Sequence, residues 1–354
     1  MPLKRQFEQL LLRPSDIKPS RDDFEVVGVF NPGAVRINDE VILLVRIAER
    51  PRDSRPGYTG LPRWNDHGDI MVNWTPNEEL EFLDSRMVRG KTDGLLRLTS
   101  SSHLRVVFCG DGRSVKQITD IRFVPGTQLE EFGVEDPRIT SLYGRYYFTY
   151  VAVSRHGAAT ALASTPDFRD FSRQGAIFCC DNKDVVLFPE SIAGAHVALH
   201  RPSSAAPFCR PEMWIARSQD IIHWGHHGVL HGVGVEWESG RVGAGTPPIR
   251  VPGGWLEIYH GTRNTTTPGA VSKYSVGAML LDLENPAQIL RRTPESIFEP
   301  TADFERHGFV PDVVFPTGIV ETKETFLVYY GAADTCTAVV EFSREELMAA
   351  LVEI

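Results

Sequence analysis

The chain has 354 residues, of which 42% are hydrophobic and 23% are charged, a composition typical of a soluble globular protein. This length accommodates two average domains or one large β or α/β fold. The formal net charge of −9 argues against nucleic acid or an anionic membrane as the main partner, because both favour basic surfaces.

In chain order, the first predicted element is a helix at 2–12 and the last is a helix at 343–354. Ser343 is a suitable N-cap for the last helix, with two glutamates in its first turn. Between the helices, short runs rich in β-branched and aromatic residues alternate with Gly, Pro, Asn and Asp, which predicts strands. Residues 51–62 predict a long loop, a type of segment that often contains binding residues. The clearest strands are 40–46, 145–151, 255–260 and 325–330.

A weak internal repeat distinguishes among the all-β architectures. Residues 163–171 resemble residues 216–224, since both contain a strand end, a turn with Ser and Asp, and then an aromatic residue. Recurrence at roughly 50–70 residues is typical of propeller blades with four strands each. The alternative is chance recurrence of residues that are common in strands. We predict a single domain, 1–354, with an all-β fold: a five-bladed β-propeller with short N- and C-terminal helices.

The most informative stretch is Glu135-Asp136-Pro137-Arg138, directly before a predicted strand. Pro137 shifts the backbone of Asp136 toward extended geometry and cannot donate to a sheet, which predicts a strand start or an edge. Arg138 is placed to set the charge state of a neighbouring carboxyl group. This arrangement suits an acid directed into a pocket. The alternative is a surface turn closed by an Asp–Arg ion pair.

Other polar residues lie where predicted strands end, and such positions in a propeller converge on one pocket. Together they predict carboxylates for acid chemistry, cations for an anion, and aromatic rings such as Trp237, Trp255 and Tyr259 that stack on sugars. Each group alone has a plain alternative, such as a local Arg46–Glu49 ion pair or a structural His260. The groups are Asn31, 46–50, 154–156, 182–184, 200–202, 236–238, 259–261, Asp312 and Asp334.

Several other kinds of site are absent from the sequence. There is no P-loop and no G-x-S-x-G motif, and the glycines at 240–245 do not follow a strand and open a helix. The five cysteines lack zinc-ligand spacing. Neither an N-terminal apolar segment nor a run of about 18 apolar residues is present. We expect a cytoplasmic protein with reduced, mostly buried thiols, no metal, no cofactor and no membrane association.

Ordered motifs across nearly the whole chain resemble glycoside hydrolase family 130, the mannoside phosphorylases and related β-mannosidases. This resemblance implies a five-bladed β-propeller. It also implies that Asp136 is the general acid, which protonates the leaving oxygen through a mannose hydroxyl while phosphate attacks from the opposite face. The motifs that support it are 30–34, 43–46, 133–138, 182–184, 187–190, 199–202, 243–249, 254–261, 309–316 and 329–334.

The resemblance also implies two sets of binding residues. Phosphate, the co-substrate, needs cations and N–H donors around it. The phosphate-binding candidates are Arg155, Lys183, Arg201 and His260. The substrate-binding candidates are Asn31, Arg46, Glu49, Glu135, Arg138, Tyr259, Asp312 and Asp334.

Three functions remain open at this point. The first is an inverting phosphorylase that cleaves β-1,2- or β-1,4-linked manno-oligosaccharides and releases mannose 1-phosphate. The second is an inverting β-mannosidase that uses water, with Glu236 or Glu238 as the base. The third is a propeller that binds carbohydrate without turnover. The terminal helices either pack on the propeller or mediate contacts in a homo-oligomer.

Overall fold

Antiparallel β-strands dominate the computed structural model, which describes residues 2–65, 67–203, 208–234, 236–264 and 272–354. In these residues, helix is limited to α1 (Asp303–Arg306), α2 (Arg344–Ala349) and four short 3-10 turns. No helix in the described part of the chain is long and apolar enough to cross a membrane. The predicted all-β class is therefore confirmed.

The N-terminal part of the chain forms one sheet and a large excursion from it. Its strands are β1 (Phe7–Leu12), β2 (Phe24–Ile37), β3 (Glu40–Pro51), β4 (Tyr58–Trp64), β5 (Ile70–Pro76), β6 (Leu80–Phe82), β7 (Met87–Gly90), β8 (Leu96–Leu98), β9 (Ser101–Phe108) and β10 (Gln117–Phe123). β2, β3, β9 and β10 pair in that order. β4 to β8 leave this sheet between β3 and β9 and form two small sheets. We call residues 52–100 the excursion.

The middle of the chain forms two four-stranded meanders. The first consists of β11 (Gly133–Leu142), β12 (Arg145–Ser154), β13 (Gly157–Thr165) and β14 (Ser172–Phe178). The second consists of β15 (Asn182–Leu187), β16 (His196–Pro202), β17 (Met213–Ser218) and β18 (Trp224–His231). Each strand pairs with the next in its meander. A single parallel pair, Gly133 with Ser102, joins β11 to β9.

The C-terminal part forms two further sheets. Its strands are β19 (Arg241–Ala244), β20 (Ile249–Val251), β21 (Gly254–Thr262), β22 (Tyr274–Leu281), β23 (Ile289–Arg292), β24 (Val314–Glu321), β25 (Thr325–Ala332), β26 (Cys336–Ser343) and β27 (Val352–Glu353). β19 and β20 both pair with β21, and β22, β23 and β27 follow. β24, β25 and β26 form the other sheet, whose far edge is β1 from the N-terminus.

The predicted N-terminal helix at 2–12 is wrong, because residues 7–12 form β1. The spacing of Phe7, Leu10 and Leu11 is compatible with a helix, but tertiary packing decides the conformation. As a strand, the segment pairs with β26 and satisfies its backbone hydrogen bonds. Its side chains also reach two apolar clusters, with Leu10 packed against one and Leu12 buried in the other.

The C-terminal helix is shorter than predicted. Ser343 is its N-cap, and its Oγ accepts a hydrogen bond from the backbone N–H of Glu346 at 3.3 Å. The helix ends at Ala349, and residues 352–353 pair with β23 instead. The predicted loop at 51–62 is also shorter, because β4 begins at Tyr58. The four strands predicted most clearly lie within β3, β12, β21 and β25.

The thiols are all free, as expected for reduced cysteines. Cys109 and Cys336 are buried, whereas Cys179 and Cys180 are exposed and Cys209 is half-buried. The expectation that most of them are buried is therefore wrong. The adjacent Cys179 and Cys180 lie in the connection between β14 and β15, where little chain covers them.

A β-bulge interrupts each of β2, β11 and β15, the strands that begin the first sheet and the two meanders. At these bulges Asn31, Asp136 and Asp184 have φ angles of 50°, 50° and 56°, in the left-handed region that Asn and Asp tolerate best. A bulge redirects a side chain out of the alternation of its strand. The extended backbone predicted for Asp136 is therefore wrong, and Pro137 lies at the bulge, where the pairing with β12 is interrupted.

The same first strands surround a common space. A cavity of about 250 Å³ is lined by residues from β2, β11, β20 and β24, together with Pro189 directly after β15. β2 and β11 are connected only through the single pair between β11 and β9, and β20 and β24 lie in two other sheets. These parts of the fold are therefore arranged with the lining strands innermost. This arrangement brings residues that are distant in sequence to one centre.

Candidate active site

Asp136 is a buried carboxylate that is hydrogen-bonded through only one of its two oxygens in the described residues. Its Oδ1 accepts hydrogen bonds from Asn31 Nδ2 at 2.8 Å and from Arg46 Nη1 at 3.0 Å. Within the described residues, Oδ2 has no hydrogen-bond partner. One oxygen is therefore fixed and the other is available to a substrate, which is the geometry a proton-transferring group needs.

Arg46 binds two carboxylates at once. Its Nη2 donates to Glu135 Oε1 at 2.6 Å, its Nε donates to Ser102 Oγ at 3.0 Å, and its guanidinium lies over the Phe30 ring at 4.5 Å. Burial disfavours ionisation of Asp136, but Arg46 and the nearby Arg138 outweigh this effect and hold the pKa of Asp136 below its ordinary value. We call Asn31, Arg46, Glu135 and Asp136 the Asp136 cluster.

A second buried cluster is built around Asp184. Arg138 Nη2 lies 3.1 Å from Asp184 Oδ1, while Arg201 Nε and His260 Nε2 lie 2.6 and 3.4 Å from Oδ2. Burial opposes the charge on Asp184, but Arg201, His260 and Arg138 hold its pKa well below the ordinary value. Gly243 passes so close to Oδ2 that any Cβ there would collide with it. We call Arg138, Asp184, Arg201 and His260 the Asp184 cluster.

Arg138 joins the two clusters. Its Nη1 donates to the backbone carbonyl of Asp136 at 3.0 Å, and its Nε donates to the carbonyl of Gly245 at 3.1 Å. The side chain is 1% exposed. All of its hydrogen bonds are therefore inside the protein, and they fix the backbone that carries the acid. The surface turn with an Asp136–Arg138 ion pair, considered from the sequence, is wrong.

Asp334 lies beside the Asp136 cluster and is contacted by the excursion. Its φ of 48° is again left-handed, and Arg86 Nη1 lies 3.6 Å from its Oδ2. Burial, reinforced by the carboxylates of Asp136 and Glu135, raises the pKa of Asp334 to about 6, and Arg46 and Arg86 offset only part of this effect. Carboxylates with unlike pKa values in one pocket are typical of catalytic sites.

Comparison with known proteins shows the enzyme family in which these residues occur. A family model described as beta-1,4-mannooligosaccharide phosphorylase, Glyco_hydro_130, matches residues 100–353. Beta-1,2-mannobiose phosphorylase from Listeria innocua serovar 6a is 38% identical over 98% of this chain and 98% of its own length. This chain belongs to glycoside hydrolase family 130. 1,2-beta-oligomannan phosphorylase from Thermoanaerobacter sp. is 37% identical over 62% of this chain and 72% of its own length.

The structural similarity to this family is equally extensive. The structure of the Listeria innocua beta-1,2-mannobiose phosphorylase with beta-1,2-mannobiose superimposes with a TM-score of 0.88 at 39% identity, covering 96% of each chain. The fold is therefore the β-propeller of glycoside hydrolase family 130. The two clusters are centred on Asp136 and Asp184, which lie at the bulges of the inner strands β11 and β15.

Several residues predicted for the family 130 site lie elsewhere. Glu49 is buried beside Ser20, whose N–H donates to Glu49 Oε1 at 2.7 Å, and it makes no ion pair with Arg46. Tyr259 points away from the site because neighbouring residues of β21 alternate and His260 takes the inward position. The Tyr259 hydroxyl donates to Glu238 Oε2 at 3.0 Å. Glu236 and Asp312 are exposed, and their roles stay predictions.

Arg155, a predicted phosphate ligand, lies in a separate cavity of about 230 Å³. It is 49% exposed and donates two hydrogen bonds to Glu131, at 2.8 and 2.6 Å. Arg63 and Arg97 from the excursion line the same cavity. No contact joins Arg155 to either cluster in the described part of the chain, so its role stays a prediction.

Sequence reasoning missed two residues. Asp184 was included only within the polar group and family motif at 182–184 and was given no role, whereas it is buried and contacts Arg138, Arg201 and His260. The signal that identifies it is its position: Lys183-Asp184-Val185 occupies the same place in β15 as Glu135-Asp136-Pro137 in β11. Arg86 was missed because it lies in the excursion, far in sequence from every family motif.

Replacing Asp334 by Asn is expected to stabilise the fold at high pH. The folded pKa of about 6 lies above the ordinary 3.8, so ionisation of Asp334 opposes folding. The cost is absent below the lower value and complete above the higher one, where it reaches about 3 kcal/mol. Urea unfolding of the wild type and Asp334→Asn at about pH 4 and pH 8 measures it. A stability difference that is equal at both pH values contradicts the prediction.

Proposed function

We propose that this chain is an inverting phosphorylase that transfers mannose from β-1,2-linked manno-oligosaccharides to phosphate and releases mannose 1-phosphate. The observation that carries the proposal is that Asp136 is hydrogen-bonded through Oδ1 alone in the described residues, while Arg138, Arg201 and His260 lie around the nearby Asp184. Full-length similarity to a protein named beta-1,2-mannobiose phosphorylase supports the linkage. A partial relative named beta-1,4-mannooligosaccharide phosphorylase is 34% identical over 57% of this chain.

Asp136 supplies the proton in this proposal. In the direction of cleavage its carboxyl group protonates the leaving oxygen through a hydroxyl of the bound mannose, and in the direction of synthesis its carboxylate accepts the proton back. The lowered pKa favours the ionised form that synthesis requires. Cleavage then requires the bound substrate to displace water and raise the pKa. Asn31, Arg46 and Asp334 are the residues we assign to binding of the manno-oligosaccharide.

Phosphate binding is assigned to Lys183, Arg201 and His260. Lys183 is half-buried and lies close enough to Asp136 to lower the pKa of Asp136, and its side-chain ammonium has no hydrogen-bond partner in the described residues. Arg201 is held by Asp184 and by Ser203 Oγ, which is 2.7 Å from Nη1. Burial lowers the pKa of His260, although Asp184 partly offsets this, so His260 contributes a neutral N–H donor. Such a set of donors suits a tetrahedral anion.

The hydrolytic alternative needs a base that activates water, and the glutamates predicted for that role are poorly placed. Glu238 accepts hydrogen bonds from Tyr259 and Arg292 and lies 3.2 Å from His231 Nε2. Burial opposes its charge, but His231 and Arg292 lower its pKa. Glu238 thus forms its own network on the outer side of β21. This favours phosphate over water as the nucleophile.

We also infer that the propeller has five blades in a single domain. Apart from the two small sheets of the excursion, the described strands divide into five groups: β2, β3, β9 and β10; β11 to β14; β15 to β18; β19 to β23 with β27; and β24 to β26 with β1. Each of the five contributes to the lining of the central cavity through its first strands or the residues that follow them. In this arrangement β1 completes the last blade.

Product analysis tests the proposed reaction. The protein is incubated with β-1,2-mannobiose and with β-1,4-mannobiose, each with and without phosphate. Mannose 1-phosphate that forms only from the β-1,2-linked substrate and only with phosphate is the expected result. Free mannose at equal rates with and without phosphate shows hydrolysis and overturns the proposal. Turnover of the β-1,4-linked substrate alone overturns the linkage but leaves phosphorolysis standing.

A further inference from the structure

The excursion places one arginine at the active site. It leaves the sheet after β3 and returns at β9, although Glu49 of β3 and Ser101 of β9 are paired neighbours. About fifty residues therefore leave and return at nearly the same point. The loop between β6 and β7 is the part that reaches the site, because Arg86 lies 3.6 Å from Asp334. The family model matches from residue 100 onward, so its match does not include this loop.

Local hydrogen bonds fix the loop in this position. Asp84 Oδ1 accepts from the backbone N–H groups of Arg86 at 2.7 Å and Met87 at 2.9 Å, and Asp84 Oδ2 accepts from Arg86 Nη2 at 3.1 Å. Thr99 closes the loop from the other side, with its N–H donating to Arg86 O at 2.9 Å and its Oγ1 to Ser85 O at 2.8 Å. Arg86 is therefore oriented before any ligand binds, which reduces the entropy lost on binding.

Only some of the N–H donors of the Arg86 guanidinium have hydrogen-bond partners within the described residues. Asp84 takes one hydrogen bond from Nη2, and the 3.6 Å separation from Asp334 is an ion pair without a close hydrogen bond. The side chain is 33% exposed. A guanidinium has five N–H donors, so several remain for a ligand. Sugar hydroxyls accept hydrogen bonds from such donors.

The contacts of Arg86 indicate which part of the substrate it meets. Arg86 contacts Asp334, which lies close to Arg46 and Asp136, whereas Arg201 and His260, two of the donors assigned to phosphate, contact Asp184. No contact joins Arg86 to the Asp184 cluster in the described residues. In an inverting displacement, the leaving group departs from the face opposite the nucleophile. These contacts therefore favour a position for Arg86 on the leaving-group side.

We propose that Arg86 donates hydrogen bonds to hydroxyls of the leaving-group sugar and thereby determines the acceptor preference of the enzyme. This inference rests on the proposed phosphorolysis. Asp334 orients the guanidinium through the ion pair, and Asp84 fixes the loop. The ligand class is a neutral pyranose, here the mannose released from β-1,2-mannobiose.

Kinetics of Arg86→Ala test this assignment in both directions. Loss of a hydrogen bond from a charged donor is expected to raise the KM for β-1,2-mannobiose, and for mannose as acceptor in synthesis, by roughly ten- to a hundredfold. The KM values for phosphate and for mannose 1-phosphate are expected to stay at the wild-type level. Arg86→Lys, which keeps the charge but lacks the planar fork, is expected to fall in between.

Arg89→Ala is the matched control, because Arg89 lies in β7 of the same excursion and pairs with exposed Glu81 at 2.9 Å. Equal KM changes for acceptor and phosphate, or wild-type kinetics in Arg86→Ala, overturn the inference. If Arg86→Ala fails to fold, Arg86→Lys alone decides, since unchanged acceptor KM in that variant also contradicts it. A wild type that forms no mannose 1-phosphate shows instead that the proposed function is wrong.

Discussion

Asp136→Asn is expected to lower the rate of mannobiose phosphorolysis by about 10²- to 10⁴-fold, the usual contribution of a general acid. The substituted amide cannot transfer the proton. Its Oδ1 still accepts from Asn31 and Arg46, both of which contact Oδ1 of Asp136 in the wild type. Asn also tolerates the left-handed φ of 50°. The loss is therefore a loss of chemistry, with the structure of the pocket retained.

Two measurements separate chemistry from binding. Calorimetric titration of Asp136→Asn with β-1,2-mannobiose is expected to show binding close to that of the wild type, because the polar contacts of the pocket remain. Asp39→Asn, in the exposed turn between β2 and β3, makes the same chemical change away from the site and is expected to turn over normally. Normal turnover in Asp136→Asn would remove this residue as the acid. Binding without turnover in the wild type would favour the non-catalytic module.

Asp184→Ala is expected to destabilise the protein by about 3–5 kcal/mol, the cost of removing one partner from a buried ion pair. Two buried guanidiniums, Arg138 and Arg201, would lose their shared carboxylate. The pH dependence of this contribution to stability follows from the direction of the pKa shift. The pKa of Asp184 is lowered in the folded state, so its contribution is present above the ordinary pKa of 3.8 and is lost as the pH falls below it.

The control for Asp184 is a pair at the surface. Glu190 lies 2.8 Å from Arg250, and both side chains are about half exposed, so Glu190→Ala is expected to cost at most about 1 kcal/mol. Urea unfolding at neutral pH compares the two variants with the wild type. Equal midpoints for Asp184→Ala and Glu190→Ala would mean that the Asp184 cluster does not support the fold. The difference is also expected to shrink in strongly acidic solution.

The sequence predicted features that depend on neighbouring residues. The centres of the strands and the Ser343 cap are confirmed, because alternation and capping act over a few residues. The region around Asp136 was identified for the same reason, since Pro137 and Arg138 mark it locally. The family resemblance then supplied the propeller, which local patterns alone indicated only through a weak repeat.

Features that depend on long-range contacts could not be predicted in this way. The partner of Asp136 is Arg46, ninety positions away, whereas the adjacent Arg138 binds Asp184. The left-handed backbone at Asp136 follows from a bulge that exists only once β11 and β12 are paired. The conformation of residues 7–12 depends on β26, more than three hundred positions later. No short window of sequence contains these contacts.

The pairing of β1 with β26 also has a consequence for biosynthesis. Phe7 lies opposite Glu341, so the sheet that contains them is finished only when both ends of the chain are present. During synthesis on the ribosome, β1 cannot pair with β26 until almost all of the residues between them have been added. Contacts of such sequence separation slow folding and expose strand edges to aggregation in the meantime. Production of this protein is therefore expected to benefit from chaperones and slow translation more than its ordinary size suggests.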